Sequence, residues 1–482
     1  MIFSKLSVIR SMQAHSWLGV MVGALMYIVC LSGALLVFHT ELEQWEQADA
    51  PTVKELDIAA VENTVNKFVK ADLGVTQHIY LVLPTREFSR ARLATEKESW
   101  FFLADGSLGP LEQNAWSSSL RDLHLYMHLP SSWGMIIVSA LGAVFVALII
   151  SGFLSHPGIA RDAFKLRLDR SEQLAQTDIH NRLSVWGAPF HLMIAITGAY
   201  FGLVLPLLAI LAEAEFDGDQ EKVVEMVFGA EPEQVATAGH MAIEKALSTV
   251  RNLDPEGTPI TLIIHEARSE KPMLEVFAKQ PMRLTWGESY QFSGEGELLR
   301  KVGWADGEIG QQILYSIYRL HFGTFDGYLS KFLYFILGLA AAVVAASGVN
   351  LWLAKRDKDD PLADLWVGVV WGTPLALCTS ALLSRLSVQN LDAAFWLTLF
   401  IACVSCVQLR NVYLSRQTLR MMLLIALTII LTGHLLTYGN LSLTGPALWI
   451  NALLGILISV IWIVRLSAKK ARVQPGIGPF GN

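Results

Sequence analysis

The sequence is poor in charged residues and in cysteine, and each shortage excludes a class of protein. Only 17% of the 482 residues are charged, whereas a soluble chain carries about a quarter, so a wholly soluble globular protein is excluded. The four cysteines lie inside apolar runs, and none lies in the two long polar stretches. Disulfide-stabilised outer domains are therefore excluded as well.

Long apolar runs are what the sequence has instead, and a helix needs about 20 apolar residues to cross the hydrocarbon layer. Eight candidates are present: Trp17–Phe38, Trp133–Leu154, Trp186–Leu211, Phe332–Leu353, Leu365–Leu383, Phe395–Val407, Met421–Leu436 and Ala447–Val464. Ordinary polar segments separate them. The pattern predicts an all-α polytopic membrane protein of about eight transmembrane helices that carries two extramembrane α+β insertions.

Lysine and arginine in the short loops predict the orientation of these helices. Arg161, Lys165 and Arg182 follow the second span, and Arg410 and Arg416 follow the sixth. All fall on one side if both termini are cytoplasmic. The two long loops, about residues 39–132 and 212–330, then face outward.

An internal repeat is the most informative feature of the chain. The first span pairs His15 with Ser32-Gly33, and the third pairs His180 with Thr197-Gly198; Gly follows His by 18 positions in both. His124 and His321 precede the second and fourth spans, which end in Ser151-Gly152 and Ser347-Gly348. Both copies run in the same direction, so a pseudo-twofold axis along the membrane normal is expected. The Ser/Thr-Gly pairs are of the kind that lets helices approach closely.

The repeat predicts the division of the chain into domains. The first repeat covers 1–154 and contains an outward module at about 40–132. A cytoplasmic loop at 155–185 leads to the second repeat, 186–356, which contains a module at about 212–330. A four-helix extension covers 357–482. Each module reads as a small α+β unit. Its helices are expected at 57–70 and 242–250, and its strands at 78–83, 100–103, 261–265, 273–278 and 290–292.

Histidines near the ends of the first four spans are the candidates for chemistry, because ionisable groups in or near spans are costly and usually functional. Neutral imidazole is the usual protein ligand of haem iron. His15 with His180 predicts one bis-imidazole site on the cytoplasmic side, and His124 with His321 predicts another on the outer side. Two haems so held would carry electrons through the membrane. The secondary candidate ligands are His191, His156 and His128.

Alternatives for these residues stay open. Covalent c-type haem is excluded, since no Cys-x-x-Cys-His occurs. Zinc remains possible with Glu41 or Asp122 as a partner, although it wants four close ligands. Cys403-x-x-Cys406 is interpreted as part of an apolar core. His39 and His434 are interpreted as interfacial, and His78, His240 and His265 as surface residues.

These residues carry a resemblance to a known family. The chain resembles the PepSY-associated transmembrane helix family, the iron-regulated inner-membrane proteins of Gram-negative bacteria. The matching motifs include His15-x-Trp17-Leu18-Gly19, Leu123-His124-x3-His128-Leu129-Pro130, Asp178-Ile179-His180-Asn181, Pro189-Phe190-His191 and Leu320-His321-Phe322-Gly323. The resemblance covers residues 1–356, and the tail looks like the extra helices of longer members.

The resemblance implies PepSY modules in the periplasm, b-type haem held by histidine, and reduction of ferric siderophores during iron acquisition. Some relatives carry a fused flavodoxin-reductase-like domain. This chain has no Gly-x-Gly-x-x-Gly motif after a predicted strand, so its expected electron donor is a membrane quinol or a cytoplasmic flavoprotein.

Two other classes of function are compatible with a polytopic chain. The modules could bind a periplasmic protein or peptide while the spans act as an anchor or regulator, which predicts no haem and tolerance of histidine replacement. A transporter would need a charged midplane site, yet the first four spans contain no Asp, Glu, Lys or Arg. No nucleic-acid partner is expected, because topology explains the basic residues.

Overall fold

The computed structural model describes residues 4–71, 77–85, 88–167, 171–220, 222–223, 240–281, 283–285, 287–303, 307, 309–325, 327–356 and 360–473. The chain forms two compact units. The membrane unit comprises Met1–Asp49, Asn114–Leu192 and Phe335–Asn482. The sheet unit comprises Ala50–Gln113 and Met193–Tyr334.

Helices make up most of the described chain. They are α1 (Lys5–Leu36), α2 (His39–Glu46), α3 (Ile58–Lys70), α4 (Ala115–Tyr126), α5 (Ser131–Ser155), α6 (Ile159–Asp162), α7 (Glu172–Glu215), α8 (Ile243–Leu253), α9 (Ile309–Phe322), α10 (Gly327–Leu353), α11 (Pro361–Ser384), α12 (Leu391–Leu409), α13 (Val412–Tyr438) and α14 (Gly445–Val473). Eight of them, namely α1, α5, α7, α10, α11, α12, α13 and α14, are long and apolar enough to cross a membrane. A helix satisfies its own backbone hydrogen bonds, which is why apolar runs cross lipid in this form. The predicted polytopic fold is confirmed.

The predicted span ends needed correction where polar residues extend a helix. The first apolar run begins at Trp17, but α1 begins at Lys5, because the Ser4 side chain caps the helix by accepting a hydrogen bond from the Ser7 amide at 3.1 Å. Four helices, α2, α4, α6 and α9, were not predicted, and two of them, α4 and α9, bear on the candidate site. These two precede the spans α5 and α10 and carry His124 and His321.

Glycines bring the helices of the membrane unit into close contact. A Cβ added to Gly338 in α10 would lie 3.0 Å from Cβ of Ala34 in α1. In the extension, a Cβ on Gly368 of α11 would lie 2.6 Å from Cα of Cys403 in α12. Helix association in lipid depends on such backbone approach. The thiols of Cys403 and its neighbour Cys406 are free, as expected for core residues.

His434 joins the C-terminal extension to the first repeat, and its interpretation as an interfacial residue is wrong. Its side chain is fully buried and stacks on Trp45 of α2, with ring centroids 4.6 Å apart. Its Nε2–H donates to the Trp45 carbonyl oxygen at 2.9 Å, and its Nδ1 accepts from Nδ2 of Asn451 at 3.1 Å. Both ring nitrogens are thereby hydrogen-bonded.

The strands of the two insertions form one antiparallel sheet in the sheet unit. They are β1 (His78–Val82), β2 (Arg92–Ala94), β3 (Ser99–Phe102), β4 (Leu108–Leu111), β5 (Thr258–His265), β6 (Met273–Lys279), β7 (Glu288–Ser293) and β8 (Leu298–Val302). The strand order is β4-β3-β2-β1-β5-β6-β7-β8. The insertions meet where β1 pairs with β5, with His78 opposite His265. The sequence predicted five of these strands but not their joining, nor β2, β4 and β8.

A helix from each insertion covers one face of this sheet. Alternating residues of β1 and β5, such as Ile79, Leu81, Leu262 and Ile264, are fully or almost fully buried. They form one apolar core with α3 and α8, to which Val65 belongs. Strands with one covered face show this alternation because successive side chains point to opposite faces.

Candidate functional site

Four histidines share one local environment, although they come from four different helices. Each lies against a Ser/Thr-Gly pair on another helix: His15 against Ser151-Gly152, His180 against Ser347-Gly348, His124 against Ser32-Gly33, and His321 against Thr197-Gly198. We call this arrangement the histidine seat. The Ser/Thr-Gly pairs are visible in the sequence, where they suggested only that helices approach closely. The sequence did not indicate that each pair contacts a histidine ring from another helix.

In the seat of His15, Nδ1 donates a hydrogen bond to the Leu148 carbonyl oxygen at 3.0 Å and lies 3.2 Å from Oγ of Ser151. A Cβ added to Gly152 would lie 3.3 Å from Cε1 of the ring. Glycine therefore gives the imidazole room against helix α5, while Ser151 and the Leu148 carbonyl oxygen fix its rotation.

The seat of His180 repeats these contacts on α10. Its Nδ1 lies 3.1 Å from the Val344 carbonyl oxygen and 3.1 Å from Oγ of Ser347. A Cβ on Gly348 would lie 3.2 Å from the ring Cε1.

The carbonyl contacts decide the tautomer of both rings. A carbonyl oxygen can only accept, so Nδ1 of His15 and of His180 carries the hydrogen. Nε2 then keeps its lone pair. This is the arrangement of metal-ligating histidines, whose second ring nitrogen donates to a carbonyl or carboxylate.

The rings of His15 and His180 face each other within the membrane unit. Their centroids lie 6.3 Å apart and their planes meet at 76°. Two imidazoles that bind one metal ion from opposite sides, each at about 2 Å, have ring centroids about 6 Å apart. The observed separation therefore suits a shared metal.

Both rings line a cavity of about 450 Å³, which we call the histidine cavity. Its size falls within the range of about 300–1,000 Å³ that is usual for cofactor sites. Apolar and small residues form most of the wall, among them Gly19, Gly23 and Phe145. Asn181 and Lys355 add polar groups that could hold carboxylates of a ligand.

Two secondary candidates, His156 and His191, also line the histidine cavity. His156 Nε2 lies 3.2 Å from a carboxylate oxygen of Asp162. His191 is 2% exposed, and its Nε2–H donates to the Leu337 carbonyl oxygen at 3.1 Å. Each already has a partner for Nε2, so the cavity brings four histidines together but leaves two of them with Nε2 suited to a ligand.

His124 lies in its seat on α1, within the membrane unit. Its Nδ1 donates to the Val29 carbonyl oxygen at 3.0 Å and lies 3.3 Å from Oγ of Ser32. A Cβ added to Gly33 would lie only 2.5 Å from Cε1 of the ring. Burial lowers the pKa of His124 to about 4, despite the opposing hydrogen bond to Val29, so the ring is a neutral imidazole at neutral pH.

His321 occupies a matching seat in the sheet unit. Oγ1 of Thr197 donates to the Met193 carbonyl oxygen at 2.8 Å and thus accepts from Nδ1 of His321 at 2.9 Å. The Phe201 ring lies 5.3 Å from the imidazole centroid. His124 and His321 belong to different units, and their pairing stays a prediction.

His128 has different surroundings from the four seated histidines. Its Nε2–H donates to the Ser119 carbonyl oxygen at 2.8 Å and lies 3.2 Å from a carboxylate oxygen of Asp392. The ring also contacts Phe395 and Trp396 of α12. His128 therefore ties α4 to the extension. In the described part of the chain, no group of three or more His, Cys, Asp or Glu side chains could hold a metal ion.

The fold and these seats define a multi-pass membrane protein with one antiparallel sheet built from two insertions and with four histidines in matching seats. The family described as the PepSY-associated TM region matches residues 12–355. The chain belongs to this family.

A relative from Pseudomonas aeruginosa, described as an uncharacterized protein, is 25% identical to this chain over 251 residues. The match spans 49% of this chain and 63% of the relative, so less than two thirds of the relative is covered.

Proposed function

We propose that this protein is a haem b protein of the bacterial inner membrane that passes electrons across the membrane and reduces ferric siderophores or other ferric chelates in the periplasm. The observation that carries the proposal is the placement of His15 and His180, 6.3 Å apart across one cavity. Both Nδ1 atoms are held by carbonyl oxygens, which leaves both Nε2 atoms suited to iron.

The residues of the histidine cavity fit a b-type haem. Small side chains such as Gly19 and Gly152 leave width for a flat ring system, and the apolar wall suits its faces. Asn181 and Lys355 offer hydrogen bonds and charge for the two carboxylates at one edge. When bound, haem supplies reversible one-electron chemistry.

The protein's own part is to hold and orient the ligand nitrogens. Ser151 and Ser347 fix the two rings beside their carbonyl partners, so neither imidazole can turn its Nδ1 towards the cavity. The largely apolar wall lowers the polarity around a bound group and thereby influences its reduction potential.

A second haem between His124 and His321 is proposed on the same chemical grounds. Each ring has its Nδ1 engaged by its seat, and each seat contains the same pair of a hydroxyl residue and glycine. Four seats in two repeats support two sites, one towards each side of the membrane.

Ferric chelate is the proposed substrate because one electron is enough to release its metal. Fe(II) binds the oxygen atoms of siderophores far more weakly than Fe(III) does, so the reduced metal leaves without cleavage of the chelator. The electron donor is proposed to be a membrane quinol or a cytoplasmic flavoprotein, with both termini in the cytoplasm.

The first experiment is a pyridine haemochrome assay on protein purified from haem-replete cells. We expect b-type haem, with a lower haem-to-protein ratio in His124→Ala and in His321→Ala. His240→Ala is the matched control, because this side chain is 54% exposed and pairs with Glu62 in the sheet unit. A colourless preparation would refute the proposal and favour a peptide-binding or anchoring role.

The second experiment tests the reaction itself. Protein in proteoliposomes is given a reduced quinol and an external ferric hydroxamate, and ferrous iron is trapped by a colorimetric chelator. We expect Fe(II) to appear with the wild type and not with the His124→Ala variant. Equal rates in both would contradict an electron path through His124, and no Fe(II) with the wild type would contradict quinol-driven reduction.

A further inference from the structure

A second cavity, distinct from the histidine cavity, lies between α7, α10, α11 and α13 in the membrane unit. Its volume is about 550 Å³. Its wall contains two arginines, Arg416 and Arg420, and the indole side chains of Trp366 and Trp371. No Asp or Glu lines it among the residues that the structure describes. We call it the arginine cavity.

The two guanidinium groups lie one helical turn apart near the N-terminus of α13. Residues four apart share a helix face, and like charges in this position repel each other. Within the described chain neither Arg416 nor Arg420 has a carboxylate partner, whereas nearby Arg356 pairs with Asp360.

Arg420 is held in place rather than left to move in solvent. Its guanidinium carbon lies 4.2 Å from the centroid of the Trp371 ring, a close cation–π contact. Its Nε is buried and, within the described residues, has no hydrogen-bond partner. A buried donor without a partner is costly, so a ligand acceptor at this position would remove that cost.

Side-chain amides complete the wall. Oδ1 of Asn350 accepts a hydrogen bond from the Trp366 indole at 2.9 Å, which orients the amide. Gln176 lies beside it, with Oε1 3.5 Å from Nδ2 of Asn350. Two arginines, oriented amides and aromatic faces together suit an oxyanion attached to an organic body.

We propose that the arginine cavity binds a phosphate ester, either the headgroup of an anionic membrane lipid or the phosphate of a soluble nucleotide such as a flavin mononucleotide. Planar guanidinium groups recognise phosphate oxygens in pairs, and basic pockets between transmembrane helices bind anionic headgroups. The proposal does not depend on haem.

A ligand in the arginine cavity would also affect the histidine cavity, because the two cavities share lining residues. Gln173 and Leu351 line both cavities. A ligand in one therefore touches residues that form the wall of the other.

The test measures binding by full-length protein with two separate probes. Native mass spectrometry counts the phosphatidylglycerol molecules that stay bound to the protein after its release from nanodiscs made of phosphatidylcholine and phosphatidylglycerol. Fluorescence quenching follows flavin mononucleotide, with inorganic phosphate as the competitor. Arg420→Gln and Arg416→Gln should weaken the binding of the true ligand by about tenfold or more.

Two further variants serve as controls for misfolding and for a general effect of removing one positive charge. Arg161→Gln removes one charge at an exposed position, since this side chain is 81% exposed and outside the arginine cavity. Arg420→Lys keeps the charge but loses the planar stack on Trp371, so it should restore binding only in part. All variants are compared by size-exclusion profile.

The outcomes separate the two sources of phosphate. Loss of retained phosphatidylglycerol in Arg420→Gln but not in Arg161→Gln identifies a lipid ligand. Loss of flavin mononucleotide binding in the same pattern, with competition by phosphate, identifies a soluble one. If neither probe responds more to Arg416→Gln or Arg420→Gln than to Arg161→Gln, the proposal is overturned. Binding by haem-free protein would keep the proposal even if the proposed function failed.

Discussion

The histidine cavity and the C-terminal extension both contain buried histidines, but they use the two ring nitrogens differently. His15 and His180 have Nδ1 engaged by a carbonyl and a serine, and their other nitrogen borders a cavity. His434 has both nitrogens hydrogen-bonded and its face covered by Trp45. The comparison teaches that burial alone does not identify a histidine as a metal ligand. A candidate ligand also needs one ring nitrogen that is not already hydrogen-bonded within the protein.

The largest expected effect is the loss of haem when a histidine of the histidine cavity is removed, with His434 as the contrasting residue. His180→Ala should eliminate the haem of the histidine cavity, because one of two iron ligands is lost. His434→Ala should leave the haem-to-protein ratio unchanged and lower stability by about 2 kcal/mol, since the Trp45 carbonyl loses its donor. Haemochrome assays and thermal unfolding check both. Haem loss in His434→Ala would break the comparison.

Glycines provide a second, smaller contrast between the seats and the extension. Gly33→Ala places a Cβ 2.5 Å from His124, so the ring must shift and haem affinity should fall by about 10-fold or more. Gly372→Ala places a Cβ 2.9 Å from Ala402 and should destabilise the helix pair by about 1–3 kcal/mol. Its absorption spectrum should match that of the wild type. If the absorption spectrum changed in Gly372→Ala but not in Gly33→Ala, the placement of the haem site at the histidine seats would be contradicted.

Hydroxyl groups of the seats should have a milder effect. In Ser347→Ala the Val344 carbonyl still holds Nδ1 of His180, so haem affinity should fall by less than about tenfold. The reduction potential should shift, because the hydrogen bonding of the ligand changes. Redox titration measures it, with Ser459→Ala, at an exposed position of α14, as the control. Identical potentials in both variants would show that the serine has no tuning role.

The sheet unit offers a third histidine environment, one that pH can test. Oε2 of Glu275 lies 2.9 Å from Nε2 of His265. Burial would raise the pKa of Glu275, but hydrogen bonds from His265, Ser289 and Gln291 outweigh it and lower the pKa. A lowered carboxyl pKa contributes stability above the usual value of about 4.3, and this is lost as pH falls through the folded value.

Unfolding of the purified protein between neutral pH and pH 3 measures this smallest effect. Glu275→Gln should unfold at a temperature that depends less on pH over the acidic part of this range. A wild type and variant with parallel pH profiles would exclude Glu275 as the titrating group.

The sequence predicted the spans and drew attention to the four repeat-related histidines, because composition and spacing are local signals. It could not predict the seats, since His15 and Ser151 meet only after helices pack. The pairing of β1 with β5 joins residues far apart in the chain, such as His78 and His265. Short strands such as β2, three residues long, carry too little pattern to be recognised.

Electron paramagnetic resonance of the oxidised, purified protein tests most directly whether His15 and His180 share one haem iron. We expect low-spin ferric signals from bis-histidine haem. The signal of the haem in the histidine cavity should be converted to high spin, or lost, in His15→Ala and in His180→Ala, and all signals should be retained in His434→Ala. A low-spin spectrum that is unchanged by both cavity variants would contradict the account.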